Sequence, residues 1–454
     1  MLTSTTRLAR RLLAVGAALT LTVGLAGAAP AVAADRDDGS QPLPGYTISN
    51  PPLAPLVVGG AATTVRQGVH EHAGFIIETP ARWNGDLVMW AHGYRGQGTV
   101  LSPEPPAFGL RQRMLEQGYA WAASSYDRNG YDIRSGVLGT RALADFFART
   151  VHKPKRVLIA GVSMGGHIIG RSLEQYPAYY DGALPMCGVL GDHDLFDFFL
   201  DYNLVAQAIA GVRAYPTPED YLTNAVPRIQ VALGLAGLTP GGPDTTNDLG
   251  KQLRAITVNR SGGERPGAEA AFAVWKDFLF SIATVDGGDS PAQRPGQLAT
   301  NLLTRYSPNS PVDVNATVQR VAPENLWQRL SPTLTEVPRI SGRPTVPVLS
   351  LHDLGDLFVP FSMEQAYARD AAWHGRSGLV VQRAIRAAQH CEFSPAEAGA
   401  AWDDLVSWVR TGQRPAGDAV TDPKAVADPS FGCRFSDPAA WAAGSGTRRL
   451  YAPC

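Results

Sequence analysis

The amino-acid sequence predicts an α/β architecture: a mostly parallel sheet with helices on both faces, carrying a mostly helical insertion. Three observations predict it. Short apolar runs alternate with helical patterns through residues 70–187 and again through 341–412, and the alternation lapses between them. Residues 157–172, VLIAGVSMGGHIIGRS, read as a strand that turns directly into a helix. Strands alternating with helices are the pattern of a parallel sheet with crossover helices. The 454 residues, 44% of them hydrophobic, exceed the common single-domain size and suffice for one large core with an insertion.

In chain order, residues 1–34 carry Arg7, Arg10 and Arg11, then an apolar run over 12–29, then Ala31-Val32-Ala33, a small-x-small cleavage site. This is the layout of a secretory signal peptide. Arg10-Arg11 is also readable as a twin-arginine address, although its flanking residues fit that motif poorly. A permanent anchor is disfavoured because the run is short and a cleavable pattern follows it, so no stable membrane anchoring is expected after cleavage. Residues 35–55, rich in Pro, Gly and Asp, read as a loose lead-in, with order beginning near Val57.

Residues 70–79 and 86–91 read as neighbouring strands joined by a turn at 80–85, the second running into His92-Gly93-Tyr94-Arg95-Gly96. A helix at 106–117, a strand at 119–125 and a helix at 137–151 follow, the last with Leu138, Leu143, Phe146 and Phe147 on one apolar face. The strand at 157, its helix to about Tyr176 and a strand at 182–187 complete a first core segment, 35–187. Over 188–340 helices are expected at 195–209, 268–282 and 323–330, with Gly/Pro-rich breaks at 239–246 and 286–295; this is the insertion, read as a cap. The second core segment, 341–412, supplies a strand at 345–351, a helix at 362–373, a strand at 379–385 and a helix at 395–410. Residues 413–454 read as a tail that wraps the surface.

The formal net charge is -1 and the sequence has no basic stripe able to neutralise a run of phosphates, which argues against nucleic acid as a partner. An exported chain is expected to use Cys187, Cys391, Cys433 and Cys454 for disulfides rather than for redox or metal chemistry. Four cysteines allow three pairings, which sequence alone does not separate; Cys187 with Cys391 and Cys433 with Cys454 are favoured.

The chemistry centres on Ser163. A strand that turns straight into a helix holds the turning residue in a strained conformation, with small neighbours and an outward side chain. A hydroxyl alone is a weak nucleophile and needs a base, an orienting acid and oxyanion donors. The strand at 345–351 ends in His352-Asp353-Leu354-Gly355-Asp356, at the sheet edge where open α/β sheets put their sites. Asp356 is the favoured acid and Asp353 the runner-up, whose ordinary role is turn formation or helix capping. His390, in the loop after the last strand, is the histidine that follows both Ser163 and Asp356 and lies directly after a strand, so it is the candidate general base. His374, at a helix end, reads as a surface or capping residue. The oxyanion donors are expected to be the backbone amide of Met164 and that of Tyr94, or alternatively Gly93. Asp192-His193-Asp194 could suggest metal ligands but lies where a loop enters a helix, so capping is the expected role and neither metal nor cofactor is expected. The aromatics Phe196, Phe198, Phe199 and Tyr202 read as packing within the insertion, with an acyl pocket as the alternative.

Gly161-x-Ser163-x-Gly165 after a strand, His92-Gly93 after an earlier one, an acid loop ending in Val359-Pro360 and a late His390, in the order Ser, Asp, His, resemble the α/β-hydrolase fold. The resemblance covers residues 73–187 and 345–410. It departs at Asp353, where the usual HGxxD acid loop has glycine. Cys391 beside the base resembles secreted tannase and feruloyl-type esterases, whose cysteines beside the serine and histidine are bridged; Val162 precedes the serine here, so that bridge cannot form in the same way. The resemblance implies a secreted serine hydrolase of carboxylic esters, small or polymer-derived, with a peptidase or amidase as the alternative and a non-catalytic binding protein on the same fold as the disfavoured third reading.

Overall fold

The computed structural model describes residues 39–284 and 298–454. The expected signal peptide and the expected break at 286–295 lie outside the described residues. An eight-stranded sheet comprises β1 (Thr64–His70), β2 (Ala73–Thr79), β3 (Asp86–Ala91), β4 (Ala120–Ser124), β5 (Arg156–Val162), β6 (Gly182–Met186), β7 (Val348–Asp353) and β8 (Val380–Ile385). Its spatial order is β8-β7-β6-β5-β3-β4-β2-β1. The pairs β1 with β2 and β2 with β4 are antiparallel and every other pair is parallel. This order and this single reversed strand, β2, are those of the α/β-hydrolase fold.

Two expectations about the first strands are corrected. The run 70–79 is the end of β1, a tight turn with positive φ at Glu71 and His72, and then β2. β2 and β3 are not neighbours, because β4 lies between them. Pairing across a sheet is a long-range choice that a short connection does not settle. The lead-in is also more ordered than expected: residues 47–48 pair with 100–101, and Leu53 donates its amide to the Gln67 side chain at 2.8 Å.

Alternate side chains of β5 serve the two faces of the sheet. Val157 and Ile159 point into one core with α2 (Ile133–Thr150) and α3 (Met164–Gln175). Leu158 and Ala160 point into the other, with Leu110, Met114 and Leu115 of α1 (Leu110–Glu116) and a second helix described below. On α2 the buried stripe is Ile133, Val137, Leu143 and Phe147, whereas Leu138 is exposed, since it lies on the side of the helix away from the middle of that stripe.

Between β6 and β7 the chain forms α4 (Asp194–Ala210), α5 (Val226–Leu233), α6 (Asp248–Arg260) and α7 (Ala268–Ser281). The sequence did not announce α5 and α6. Pro227 opens α5, and Gly250 with the β-branched Ile256-Thr257-Val258 weakens the intrinsic helix signal of α6, which burial of Leu253 and Ile256 overrides. After β7 come α8 (Ser362–Trp373) and, after β8, α9 (Pro395–Thr411), which opens with a capping box of Ser394 and Glu397 and covers the second face with Trp402 and Leu405.

Register brings the working ends of the strands level: Ala91 lies beside Gly161, Val162 beside Met186, Met186 beside Leu351 and Asp353 beside Ile385. The turn from β5 into α3 passes close beneath β3. A Cβ on Gly161 would stand 2.2 Å from the Ala91 carbonyl oxygen and one on Gly165 would stand 2.1 Å from it. Backbone cannot swing aside as a flexible side chain does. Gly165→Ala is therefore expected to destabilise the protein by about 3 kcal/mol, the upper end of ordinary overpacking. A urea unfolding curve checks this: the midpoint falls with an unchanged slope, and an unmoved midpoint contradicts the close approach.

Candidate active site

Ser163 occupies the turn between β5 and α3 with φ 57° and ψ −122°. Its amide donates to the Met186 carbonyl at 3.0 Å, and its carbonyl accepts from Gly166 at 2.8 Å and Val189 at 3.1 Å. The hydroxyl stands above the sheet edge, half-buried, 2.7 Å from Nε2 of His390. Nδ1 of His390 lies 2.6 Å from Oδ2 of Asp356. With the Nδ1 hydrogen donated to that carboxylate, Nε2 is the acceptor for the serine hydroxyl. The other oxygen of the fully buried Asp356 accepts from the amides of Phe358 at 2.9 Å and Val359 at 3.0 Å, which fixes the carboxylate plane.

Asp353 is also fully buried, yet it faces elsewhere. One oxygen accepts from the Glu392 amide at 2.9 Å and the other has no hydrogen-bond partner. Burial, and next the charge of Asp356, push its carboxyl well above the usual range, so it is held neutral. The two aspartates of the acid loop thus differ: Asp356 reaches the imidazole and Asp353 braces the residue two beyond it.

Gly93 packs against the nucleophile, since a Cβ there would meet the Ser163 Cβ at 3.0 Å. Tyr94 follows it with its side chain packed at the edge of the core, and Arg95 pairs with Glu104. Met164 opens α3, a position whose N–H has no intrahelical acceptor. Gly93 and the amide of Met164, the residue after the nucleophile, therefore both lie beside Ser163. His92 beneath them is buried, donates Nδ1–H to the Gly93 carbonyl at 2.7 Å and stacks on Tyr126 at 4.1 Å. Burial lowers its pKa to about 4, so it is neutral.

Cys187, just past β6, is bridged to Cys391, the residue after His390, and Cys433 is bridged to Cys454. Both bonds match the favoured pairing. The first ties the histidine loop to the strand beside the nucleophile, in place of a bridge from position 162. Cys187, His390 and Cys391 cluster within metal-ligating distance of one another, but the bridged sulfurs offer no thiolate.

Asp192-His193-Asp194 is only partly a helix start. His193 holds the cap position and Asp194 lies in the first turn of α4, whereas Asp192 is buried with φ 41° and accepts from the Ile340 amide at 2.8 Å. His193 Nε2 donates to the Val337 carbonyl at 2.8 Å and His167 Nε2 to the Pro338 carbonyl at 2.7 Å. Burial lowers these imidazoles to about 4 and about 3 and raises Asp192 to about 7. The three grip the irregular segment 337–340 by which the chain leaves the insertion, a role the sequence did not suggest because its partners are backbone atoms about 145–170 residues away. His374 ends α8 as its cap residue, as expected.

Phe358, on the acid loop, has its ring 5.0 Å from that of His390. Phe278 approaches Phe358 at 4.7 Å, and Phe199 and Trp275 at 6.2 and 6.4 Å. Trp275 also donates its indole N–H to the Ala388 carbonyl at 2.6 Å. Of the expected insertion aromatics, Phe199 thus joins this wall, while Phe196 lies edge-on to Tyr131 and Tyr202 packs on Phe280.

No family model matches the chain. A curated relative, an o-phthalyl amidase of Xanthobacter agilis, is 22% identical over 445 residues that cover 83% of this chain and 94% of that protein. Among solved structures the chain is similar to feruloyl esterase B of Aspergillus oryzae, with 13% identity, 76% of this chain and 80% of that one covered, and a TM-score of 0.37. It is likewise similar to another esterase of Aspergillus oryzae, with 12% identity, 78% and 81% covered and a TM-score of 0.40. A proline iminopeptidase-related protein of Thermus thermophilus gives 15% identity, 76% and 98% covered and a TM-score of 0.37. The fold is read from the strand order and not from these distant likenesses.

The neutral Asp353 carries a pH signature. Unfolded, an aspartate ionises near pH ~3.9, whereas folded Asp353 keeps its proton to higher pH. Above about pH 4 the folded chain therefore holds the extra proton, and this residue lowers stability as pH rises. Asp353→Asn keeps an acceptor for Glu392 and removes that slope. The variant is expected to be at least as stable as the parent at pH 7, with the difference growing as pH rises above about 4 in urea titrations. Asp356→Asn is expected to fold and lose about 10^4-fold in kcat while Asp353→Asn keeps most of it; equal losses would contradict the division of roles.

Proposed function

We propose that this chain, which has the α/β-hydrolase fold, is a secreted serine hydrolase that cleaves carboxylic esters through a covalent acyl-enzyme. The observation that carries this reading is the continuous hydrogen-bonded line Ser163 Oγ, His390, Asp356, at 2.7 and 2.6 Å. Ser163 attacks the ester carbonyl as His390 Nε2 takes its proton, and Asp356 stabilises the imidazolium that forms. The amides of Met164 and Tyr94 receive the negative charge on the carbonyl oxygen. The tetrahedral intermediate collapses with loss of the alcohol, which takes the proton back from His390, and the acyl group stays on Ser163. His390 then activates a water that attacks the acyl carbonyl and restores the serine. These steps need no cofactor or metal.

Secretion is supported by the signal-peptide layout of residues 1–34 and by two disulfides, which persist in oxidising compartments. No helix among the described residues is long and apolar enough to cross a membrane. The helical insertion is read as a cap whose Phe199, Trp275 and Phe278, with Phe358, form an apolar wall beside His390 for an ester of small-molecule or polymer origin. The relative that is an o-phthalyl amidase favours a second reading, hydrolysis of amides by the same residues, since the triad does not dictate the leaving group.

The two readings part when p-nitrophenyl esters and the matching p-nitroanilides are tested side by side. The ester reading expects a higher kcat/KM on the ester than the difference in leaving-group reactivity explains, and comparable values on both support the amidase. Under either reading Ser163→Ala and His390→Ala each lose about 10^4-fold or more in kcat, and the double variant loses little more. Losses that multiply would contradict a shared role.

A further inference from the structure

The tail, which lies along the surface, also bonds to the loop that carries His390. We propose that the disulfide-closed segment 433–454 is a working part of the site, and that Thr447 is the positioning residue for His390; the inference rests on His390 being the base. After β8 ends at Ile385, the loop 386–394 has irregular backbone whose N–H groups need partners from elsewhere. The Thr447 hydroxyl accepts from the Ala388 amide at 2.6 Å and the Gln389 amide at 3.1 Å, the two residues immediately before His390. The same hydroxyl donates to the Glu392 carboxylate at 2.6 Å, two residues after His390. One donor and two acceptors are all a hydroxyl has, so Thr447 brackets the histidine on both sides and is fully used in doing so.

Neighbouring tail residues extend the grip. The Thr447 amide donates to the Glu392 carboxylate at 3.1 Å, and Arg448 donates to the Glu392 carbonyl at 2.7 Å while it pairs with buried Glu397. The Tyr451 hydroxyl donates to the Ala387 carbonyl at 2.8 Å, the carbonyl that also accepts from the Gly355 amide of the acid loop at 2.9 Å. A Cβ on Gly355 would stand 2.5 Å from the Tyr451 oxygen. One tail side chain thus rests on the histidine loop and the acid loop together. Arg386, which opens the histidine loop, reaches carbonyls near the two ends of the ring, Phe431 just before it at 2.9 Å and Ala452 within it at 3.1 Å. The Cys433–Cys454 bond closes the ring that holds Thr447, Arg448 and Tyr451 in place.

Displacing a catalytic group by about 1 Å costs on the order of 10²-fold in rate without touching substrate affinity. Thr447→Val preserves the shape of the side chain and removes its hydrogen bonds. We expect it to lower kcat on a p-nitrophenyl ester, and the rate of Ser163 labelling by a fluorophosphonate, by roughly 10- to 100-fold, with KM changed by less than about twofold. Thr447→Ser, which keeps the hydroxyl, is expected to restore most of both rates; a role in stability alone would leave both rates of the folded variant unchanged. Should Thr447→Val fail to fold, Tyr451→Phe, which removes only the hydroxyl over Ala387, decides: a fall of about 3- to 10-fold in labelling rate supports the inference and a wild-type rate overturns it. A folded Thr447→Val labelled at the wild-type rate overturns it while leaving the triad intact. A wild-type protein that is not labelled at all overturns the triad reading and this inference with it.

Discussion

Ser163 sits at φ 57° and ψ −122°, a backbone conformation that a residue with a side chain adopts only when its surroundings compel it, at a cost of about 1–3 kcal/mol. The rest of the site depends on that compulsion. It comes from below and from the side: the Ala91 carbonyl lies so close under Gly161 and Gly165 that neither tolerates a Cβ, and the Ser163 amide and carbonyl are tied to Met186, Gly166 and Val189. Parallel pairing of β5 with β3 and β6 supplies both supports. The same turn makes Met164 the first residue of α3, so the constraint that lifts the hydroxyl also leaves an amide directed past it.

A fixed serine is useful only if loops far away in sequence arrive at the same place. His390 is 227 residues from Ser163, and its loop is pinned from three directions. The Cys187–Cys391 bond ties it to the strand beside the nucleophile, Trp275 of the insertion holds the Ala388 carbonyl, and the tail holds the Ala388 and Gln389 amides before His390 and the Glu392 carboxylate after it. Ser163, Cys187 and Cys391 all have positive φ, and the other described non-glycine residues that share it, such as Glu71 and His72, likewise lie in turns and loops rather than in the regular strands. That distribution fits a rigid sheet carrying functional loops at its edge.

The legible part of this arrangement was the part written in local patterns. Ser163, Asp356 and His390 each follow an apolar strand, so the order Ser, Asp, His could be read along the chain. The preference for Asp356 over Asp353 also came from a local pattern, the loop ending at Val359-Pro360. Why Asp353 differs could not be read, since its neutrality arises from burial beside Asp356. The adjacency assumed for β2 and β3 failed for a related reason: β4, more distant in sequence, takes the place between them. Tail composition, rich in Pro, Gly and Asp, signalled irregular backbone correctly but gave no sign that Thr447, Arg448 and Tyr451 reach into the histidine loop, because their partners lie more than fifty residues back in the chain and several are backbone atoms. The buried grip of Asp192, His193 and His167 on residues 337–340 was hidden in the same way.

The central claim is that Ser163 carries the acyl group during turnover. It is tested most directly by acid-quenching the wild-type protein within its first turnovers on an activated p-nitrophenyl ester, followed by proteolysis and mass analysis of the peptides. The account predicts the mass of the acyl group on the peptide containing Ser163, formed in step with the initial release of p-nitrophenol and missing in Ser163→Ala. Rapid hydrolysis with the acyl group on a different residue, or an undiminished rate in Ser163→Ala, would contradict it.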